Sequence, residues 1–519
     1  MHWSSQVVFI VVIFIHIVIS YYLWIWTYWK RRGIPGPRGL PIFGSCNQMQ
    51  DHYYPPWLQI RDWTRVYGSV YGITEGLQKT LVISDTDLIN EVFVKQFDNF
   101  YGRKLNPLHG DPETEKVTNV FGAQGFRWKR LRTISSPTFS SNSLRKIHAT
   151  VEECALELIR HIENNNDKDI DMLIYYQEYT LDVIARIAMG QVESKQFCNP
   201  FLDDVKNIFG SNRKKIMMLG NISPFVARSL RKLMIKYAAV EKTPGNGIMR
   251  EVTTVVMRRM KQREEDEKKG IEQGEPADFI DLFLDARADV DMLEEEHNEE
   301  FTKQNIKVNR QLTVDEIVAQ CFVFLIAGFD TTALSLSYTT YLLATHPNIM
   351  KKVQEEIDRE CPDPSISFDQ LSRLKYMSCV IKETLRMYPL AAPAAARKCM
   401  KNARIGTIKV EKGVNVLADT WTLHYDKKIW GEDADEFKPE RWNNIDDNSV
   451  KSSSYLPFGL GPRQCIGMRL AYMEEKLLLS HILRKYTFET THNTQIPLKL
   501  IGRATTQPES VVLKLNLRY

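Results

Sequence analysis

From Val7 to Trp29 the chain runs 23 residues without an Asp, Glu, Lys or Arg, interrupted mainly by His16, Ser20 and Thr27. A bilayer interior has no water to satisfy backbone N–H and C=O groups, so such a run can cross it only as a helix. At 1.5 Å per residue it would span about 35 Å, enough for the hydrocarbon core. Tyr21, Tyr22, Trp24, Trp26, Tyr28 and Trp29 crowd its end, as rings do at a membrane–water interface. Lys30-Arg31-Arg32 follows at once, and the positive-inside rule puts everything downstream in the cytosol. A cleaved signal peptide is the rival, but the start has no Lys or Arg and no small-residue cleavage site follows. The reading is an uncleaved single-pass anchor over 1–29, a basic and Pro/Gly-rich linker over 30–44, and one large domain over 45–519.

Bulk composition narrows the classes of function. Apolar residues make up 43% and charged residues 25%, ordinary for a globular core, and a net charge of +4 is too small to argue for nucleic acid. The eight cysteines are scattered with no Cys-x-x-Cys, which argues against a zinc cluster or a disulfide framework and fits a reducing compartment.

Periodicity predicts a mainly α domain with a small β-sheet region. Val70–Thr74 and Thr80–Ser84 alternate as strands. A helical stretch begins near Phe126, and Ala149 to about Val240 is mostly helical, with breaks around Asn164–Lys168 and at Ser223-Pro224. Within it, Ile216–Leu233 reads either as part of a substrate access roof or as a plain amphipathic helix. Thr313-Val-Asp-Glu316 has capping-box form and opens a long apolar helix to about Thr345. A helix ending at Glu360 and another over Leu374–Tyr388 follow, and Arg404–Glu411 with Gly413–Ala418 read as a hairpin. The charge runs Arg258–Lys269 and Glu294–Glu300 read as solvated helix ends and a loop.

The stretch that carries chemistry is Phe458-Gly-Leu-Gly-Pro-Arg-Gln-Cys-Ile-Gly467. Gly459 and Gly461 permit turns that a side chain would obstruct, Pro462 stiffens the loop, Arg463 brings a cation, and Gly467 lets something large approach the backbone. An amphipathic run from Met468 reads as a helix, so Cys465 lies just ahead of a helix N-terminus, where free amides favour thiolate over thiol. A thiolate in an apolar loop beside a cation suits a haem-iron ligand. The decapeptide resembles the haem-thiolate signature of the cytochrome P-450 family. That resemblance implies the P-450 fold and haem b, with Cys465 as proximal iron ligand, Arg463 on a propionate, Phe458 beside the sulfur, and Gly459 and Gly467 lining the cofactor.

Three more motifs stand in the family's order. Ala327-Gly-Phe-Asp-Thr-Thr332 interrupts the long apolar helix with poor helix formers, and a threonine hydroxyl there can bond the preceding turn's carbonyl. By resemblance it is the oxygen-activation motif, with Asp330 and Thr331 delivering protons. Glu383-Thr-Leu-Arg386 is an acid–base pair at i, i+3. The resemblance makes it a buried structural pair, completed by Arg441 of Phe437-Lys-Pro-Glu-Arg-Trp442, that fixes the Cys465 loop; Trp442 in place of the commoner aromatic reads as trivial. Trp128 and Arg132, at i and i+4, put an indole N–H and a guanidinium on one face, a fit for a carboxylate. The resemblance makes that carboxylate a haem propionate, with Arg397 and Arg103 as further candidates, and has the small apolar segment Pro389–Ala396 line the haem cavity.

A microsomal monooxygenase is implied, closest to the animal drug- and steroid-oxidising branch, facing the cytosol from the endoplasmic reticulum membrane. It would insert one atom of O2 into an apolar lipid, steroid or xenobiotic. The chain has no G-x-G-x-x-G after a strand and no flavin-like segment, so electrons must come from a partner. By resemblance that partner is NADPH-cytochrome P-450 reductase, with cytochrome b5 as a second donor. Lys129, Arg130, Lys398, Lys401, Arg404, Lys438 and Arg469 are candidates for a basic docking face. The rivals are a reductase-independent isomerase or dehydratase of the same family, against which the intact Asp330-Thr331 pair argues, and a non-catalytic haem sensor or carrier.

Overall fold

A computed structural model describes residues 2–115, 117–165, 169–209, 214–238, 246–271, 278–286, 311–443 and 452–518. Two helices are long and apolar enough to cross a membrane, Gln6–Trp26 and Val314–Thr345, and burial separates them. Only 6% of the first is covered by the protein, against 67% of the second. Val314–Thr345 is therefore the axis of the domain core, not a second span. It starts at a true capping box: the Thr313 hydroxyl accepts from the Glu316 amide, and the Glu316 carboxylate accepts from the Thr313 amide. The same carboxylate takes a bidentate pair from Arg130, at 2.6 and 3.1 Å, which ties in the helix Gly125–Ser135. Arg130 is thus buried and neutralised, and it leaves the list of docking candidates.

The central helix packs against the helix Met172–Ala188, whose Thr180 hydroxyl donates to the Phe329 carbonyl at 2.7 Å. It stays helical through the Gly328–Thr332 motif, because the Thr331 hydroxyl shares the Ala327 carbonyl at 2.7 Å without displacing the backbone ladder. Most of its middle is buried, yet Phe322, Val323, Ile326, Ala327, Gly328 and Thr331 are not. Val323, Ala327 and Thr331, spaced by four, lie on one stripe of the helix.

The main sheet has four strands in the order β1 (Val70–Glu75), β2 (Gln78–Ile83), β6 (Asn415–Ala418), β3 (Ala396–Lys398). β1 and β2 form an antiparallel hairpin, β2 pairs parallel with β6 (Thr80 opposite Asn415), and β3 pairs antiparallel with β6 (Ala396 opposite Leu417). The expected hairpin between Arg404–Glu411 and Gly413–Ala418 does not form. Gly406, at φ +51°, turns the first run back on itself as β4 (Ala403–Ile405) and β5 (Ile408–Val410), which frees the second to enter the main sheet as β6. A three-stranded and a further two-stranded sheet complete the β structure of the described residues.

Other expectations need adjustment. The helical region after Ala149 breaks a third time, between Ala188 and Leu202, beginning at Gly190 with φ +70°. The run Arg258–Lys269 is not merely solvated, since Arg259 and Arg263 pair with Asp278, Asp281 and Asp285 of the following segment. Glu294–Glu300 lies outside the described residues.

The N-terminal helix is His2–Trp26, and the aromatic cluster at its end divides. Tyr28 and Trp29 are buried in the domain. The Trp29 indole donates to the Ile73 carbonyl at 2.9 Å, and its ring lies so near Gly72 that a Cβ there would meet it at 2.1 Å. The Tyr28 hydroxyl donates to Glu411 at 2.9 Å while Arg32 pairs with the same carboxylate and stacks 3.6 Å over the Tyr28 ring. Gly72→Val should drive Trp29 from this seat. The expected cost is about 1–3 kcal/mol of unfolding free energy by denaturant titration, with helix content unchanged.

Candidate haem-thiolate site

The Cys465 loop is closed by its own backbone. Cys465 N–H donates to the Phe458 carbonyl at 2.8 Å, Gly459 N–H to Leu456 at 3.1 Å, and Gln464 N–H to Gly461 at 2.9 Å. Gly461, at φ +73°, passes so close to the Phe93 carbonyl that a Cβ would lie 2.1 Å from its oxygen. Gly459 needs its glycine for φ +75°, whereas nothing in the protein crowds Gly467, whose nearest neighbour would be 3.7 Å away. Gly467 caps the helix Met468–Lys485, as expected, and Phe458 lies against Tyr472 at 5.4 Å between ring centres.

The Cys465 side chain is not covered by protein, unlike six of the other seven cysteines. Burial of its surroundings pushes the thiol up, while the Gly467 and Met468 amides with Arg132 and Arg103 pull it down. The amides at the helix terminus thus pull against desolvation, which is the larger effect. A coordinated metal would remove the proton outright. Among the described residues no cluster of three or more His, Cys, Asp or Glu could hold a metal ion.

Around this loop gather cations without acids. Arg103 donates to the Ala394 carbonyl at 2.8 Å and stacks 4.4 Å over Phe121. Arg397 donates to the carbonyls of Ala396 at 2.8 Å and Leu460 at 3.3 Å and stacks 4.5 Å over Phe93. Arg463 donates to the Ala123 carbonyl at 2.6 Å and stacks 4.6 Å over Trp128. Burial pushes Arg103 down to about 10 and pushes Arg397 and Arg463 well down, and mutual repulsion among the arginines adds to this. Arg132 is also lowered by burial. No carboxylate pairs with Arg103, Arg132, Arg397 or Arg463 among the described residues, and Arg103 Nε, Arg397 Nε, and Arg463 Nε and Nη1 are buried without a partner. Buried cations are costly unless paired, so the donor set fits a ligand carrying carboxylates, as the propionates of a haem do.

The two expected proton carriers look in different directions. Thr331 is on the uncovered side, bonded back to Ala327, whereas Asp330 is 1% exposed and accepts from the Thr505 hydroxyl at 2.6 Å. Burial pushes the Asp330 carboxyl up to about 6, and the Thr505 hydrogen bond pulls against it. Thr505 stands 175 positions away and carries no sequence signal.

Glu383 is the hub behind the loop. Neither it nor Arg386 has any exposed side-chain surface. Arg386 reaches both carboxylate oxygens, at 2.8 and 2.9 Å; Arg441 adds a bond at 2.8 Å, the Lys438 amide one at 3.1 Å and the Trp442 indole one at 2.9 Å. Trp442 is therefore not a trivial replacement, since a ring without an N–H would leave one carboxylate oxygen short. The link to the Cys465 loop runs through a residue the sequence analysis passed over. Arg386 donates to the His424 carbonyl at 2.6 Å, and His424 Nε2 accepts the Leu456 amide at 2.9 Å, directly before the loop. Burial pushes His424 down to about 3, so the ring is neutral and Nε2 is free to accept.

Glu383→Ala should leave Arg386 uncompensated and Arg441 with Asp433 alone, cost about 3–5 kcal/mol and abolish haem incorporation. Trp442→Phe should lose about 1.5–3 kcal/mol, the worth of one hydrogen bond to a charged group, and still fold. Denaturant unfolding and the haem-to-protein ratio separate the two.

A model of the family "Cytochrome P450" matches residues 34–515. Among relatives from Caenorhabditis elegans, cytochrome P450 CYP13A10 is 60% identical over 503 residues, spanning 96% of this chain and 97% of its own. Cytochrome P450 CYP13A1 is 59% identical over 509 residues (96% and 97%), and cytochrome P450 CYP13A7 is 54% identical over 520 (99% and 100%).

Proposed function

The chain belongs to the cytochrome P450 family, in general haem monooxygenases, and on that premise we propose that it inserts one atom of O2 into an apolar lipid, steroid or xenobiotic. The observation that carries this reading is a cysteine left open by its own closed loop, set among buried arginines that lack carboxylates. Haem b bound there would supply reductive activation of dioxygen. Cys465 would hold its iron, Arg103, Arg132, Arg397, Arg463 and Trp128 would hold its propionates, and Phe458, Gly459 and Gly467 would line it beside the sulfur. Gly467, which nothing in the protein crowds, supports this placement. Thr331, on the uncovered face of the central helix, would hold a proton-donating hydroxyl toward the reacting oxygen, and Asp330 behind it would replenish the proton. An open hydroxyl at this position favours a monooxygenase over an isomerase, which has no need of proton delivery.

Electrons would come from NADPH through NADPH-cytochrome P450 reductase, with cytochrome b5 as a second donor. The remaining candidates for the docking face are Lys129, Lys398, Lys401, Arg404, Lys438 and Arg469. The helix His2–Trp26 would anchor the protein in the endoplasmic reticulum membrane, with the domain in the cytosol.

Three outcomes check this reading. The reduced, carbon-monoxide-bound spectrum should show thiolate ligation, and Cys465→Ala should abolish it; a histidine-type Soret band in the intact protein would refute the ligand assignment. Thr331→Ala should fold and bind haem yet form several-fold less product per NADPH consumed, with hydrogen peroxide making up the difference. Removal of residues 1–26 should shift the protein from the membrane pellet toward the soluble fraction.

A further inference from the structure

We propose that Thr505 is a positioning residue of the proton-delivery pair: its hydroxyl, donated to Asp330, fixes that carboxyl behind Thr331 and couples the 502–506 turn to the central helix. The inference rests on the monooxygenase reading for its role in turnover, and on geometry alone for the contact.

The turn joins two short strands, Leu500–Ile501 and Gln507–Pro508, and it is held at several points. Gly502 N–H donates to the His52 carbonyl at 2.7 Å, Thr506 N–H to the Leu390 carbonyl at 3.0 Å, and the Tyr338 hydroxyl to the Thr506 carbonyl at 3.0 Å. Gly502, at φ +105°, crosses so close to the Thr505 carbonyl that a Cβ would lie 2.2 Å from the oxygen. Tyr338 is in turn stacked on Tyr388, with ring centres 4.2 Å apart. The turn therefore grips the central helix at two levels, Asp330 and Tyr338, and touches the small apolar segment through Leu390. Thr505 cannot slide relative to Asp330 without breaking these bonds.

The electrostatics give this contact its weight. Burial and the Thr505 hydroxyl are what act on the Asp330 carboxyl among the described residues. Tyr338 is the titratable group that senses it along the helix, Thr180 of the packed helix bonds the adjacent Phe329 carbonyl, Arg503 in the same turn bonds Gln50, and His52 contributes a backbone carbonyl. The Thr505 hydroxyl is the one side-chain donor given to this carboxyl among the described residues. A hydrogen bond to the charged form favours it, so Thr505 opposes the burial that pushes the carboxyl up. Without the hydroxyl, Asp330 would hold its proton to higher pH and its side chain would lose the contact that sets its rotamer.

The test uses the full-length haem protein as wild type, T505V, T505S and D330N. Infrared difference titration follows the protonated-carboxyl band that D330N removes, and product per NADPH is followed over the same pH range. T505V should shift the carboxyl midpoint upward by about one to two pH units, the worth of one hydrogen bond to a charged group, and the inflection in coupling should move with it. T505S should restore both to the wild-type position, which a loss of folding alone would not allow. A carboxyl midpoint in T505V equal to wild type overturns the proposal. A shifted midpoint in a protein whose wild type forms no oxygenated product supports the contact and refutes the monooxygenase reading instead.

Discussion

The domain hangs on one fully buried carboxylate. Glu383 accepts from two arginines, an indole and a backbone amide, so that neither its charge nor that of Arg386 is left uncompensated. Burying such a group is tolerable only with this degree of satisfaction, since one lost partner exposes the desolvation cost of the rest. From the same centre, Arg386 fixes the backbone at His424, Ala434 and Glu436, and His424 passes the constraint to Leu456 at the mouth of the Cys465 loop. The position of the sulfur is thus set by an electrostatic knot behind it, through bonds that run almost entirely to the backbone.

The candidate site shows the opposite economy. At the Glu383 hub the carboxylate is fully satisfied, whereas around the loop Arg103, Arg397 and Arg463 lean on carbonyls and ring faces with guanidinium nitrogens unpartnered. Asp330 likewise lies buried with a hydroxyl where a cation could have been. A folded chain keeps such groups only where something outside the chain completes them or where their unsettled charge is used.

At the N-terminus, the apolar helix ends at Trp26 and the aromatics after it pack into the domain. Trp29 is seated on Gly72 and Tyr28 is bound through Glu411, so the last aromatics of the apolar run belong to the sheet layer. The helix leaves the domain from a fixed point and not from a slack tether.

Local chemistry alone made much of this legible. An uncharged apolar run has one structure open to it in lipid, a capping box announces its helix, and the decapeptide around Cys465 declares its glycines because φ and close approach leave no alternative at Gly459 and Gly461. The Glu383–Arg386 pair was legible for the same reason, as both ends lie on one helical turn. What only the tertiary structure decided concerns partners distant in sequence: Arg130 on Glu316, Trp442 and His424 around the Glu383 hub, β6 beside β2, and Thr505 on Asp330. Those pairings are chosen by which surfaces the packed core brings within hydrogen-bond reach, and a lone threonine or histidine carries no mark of that choice before the chain has folded.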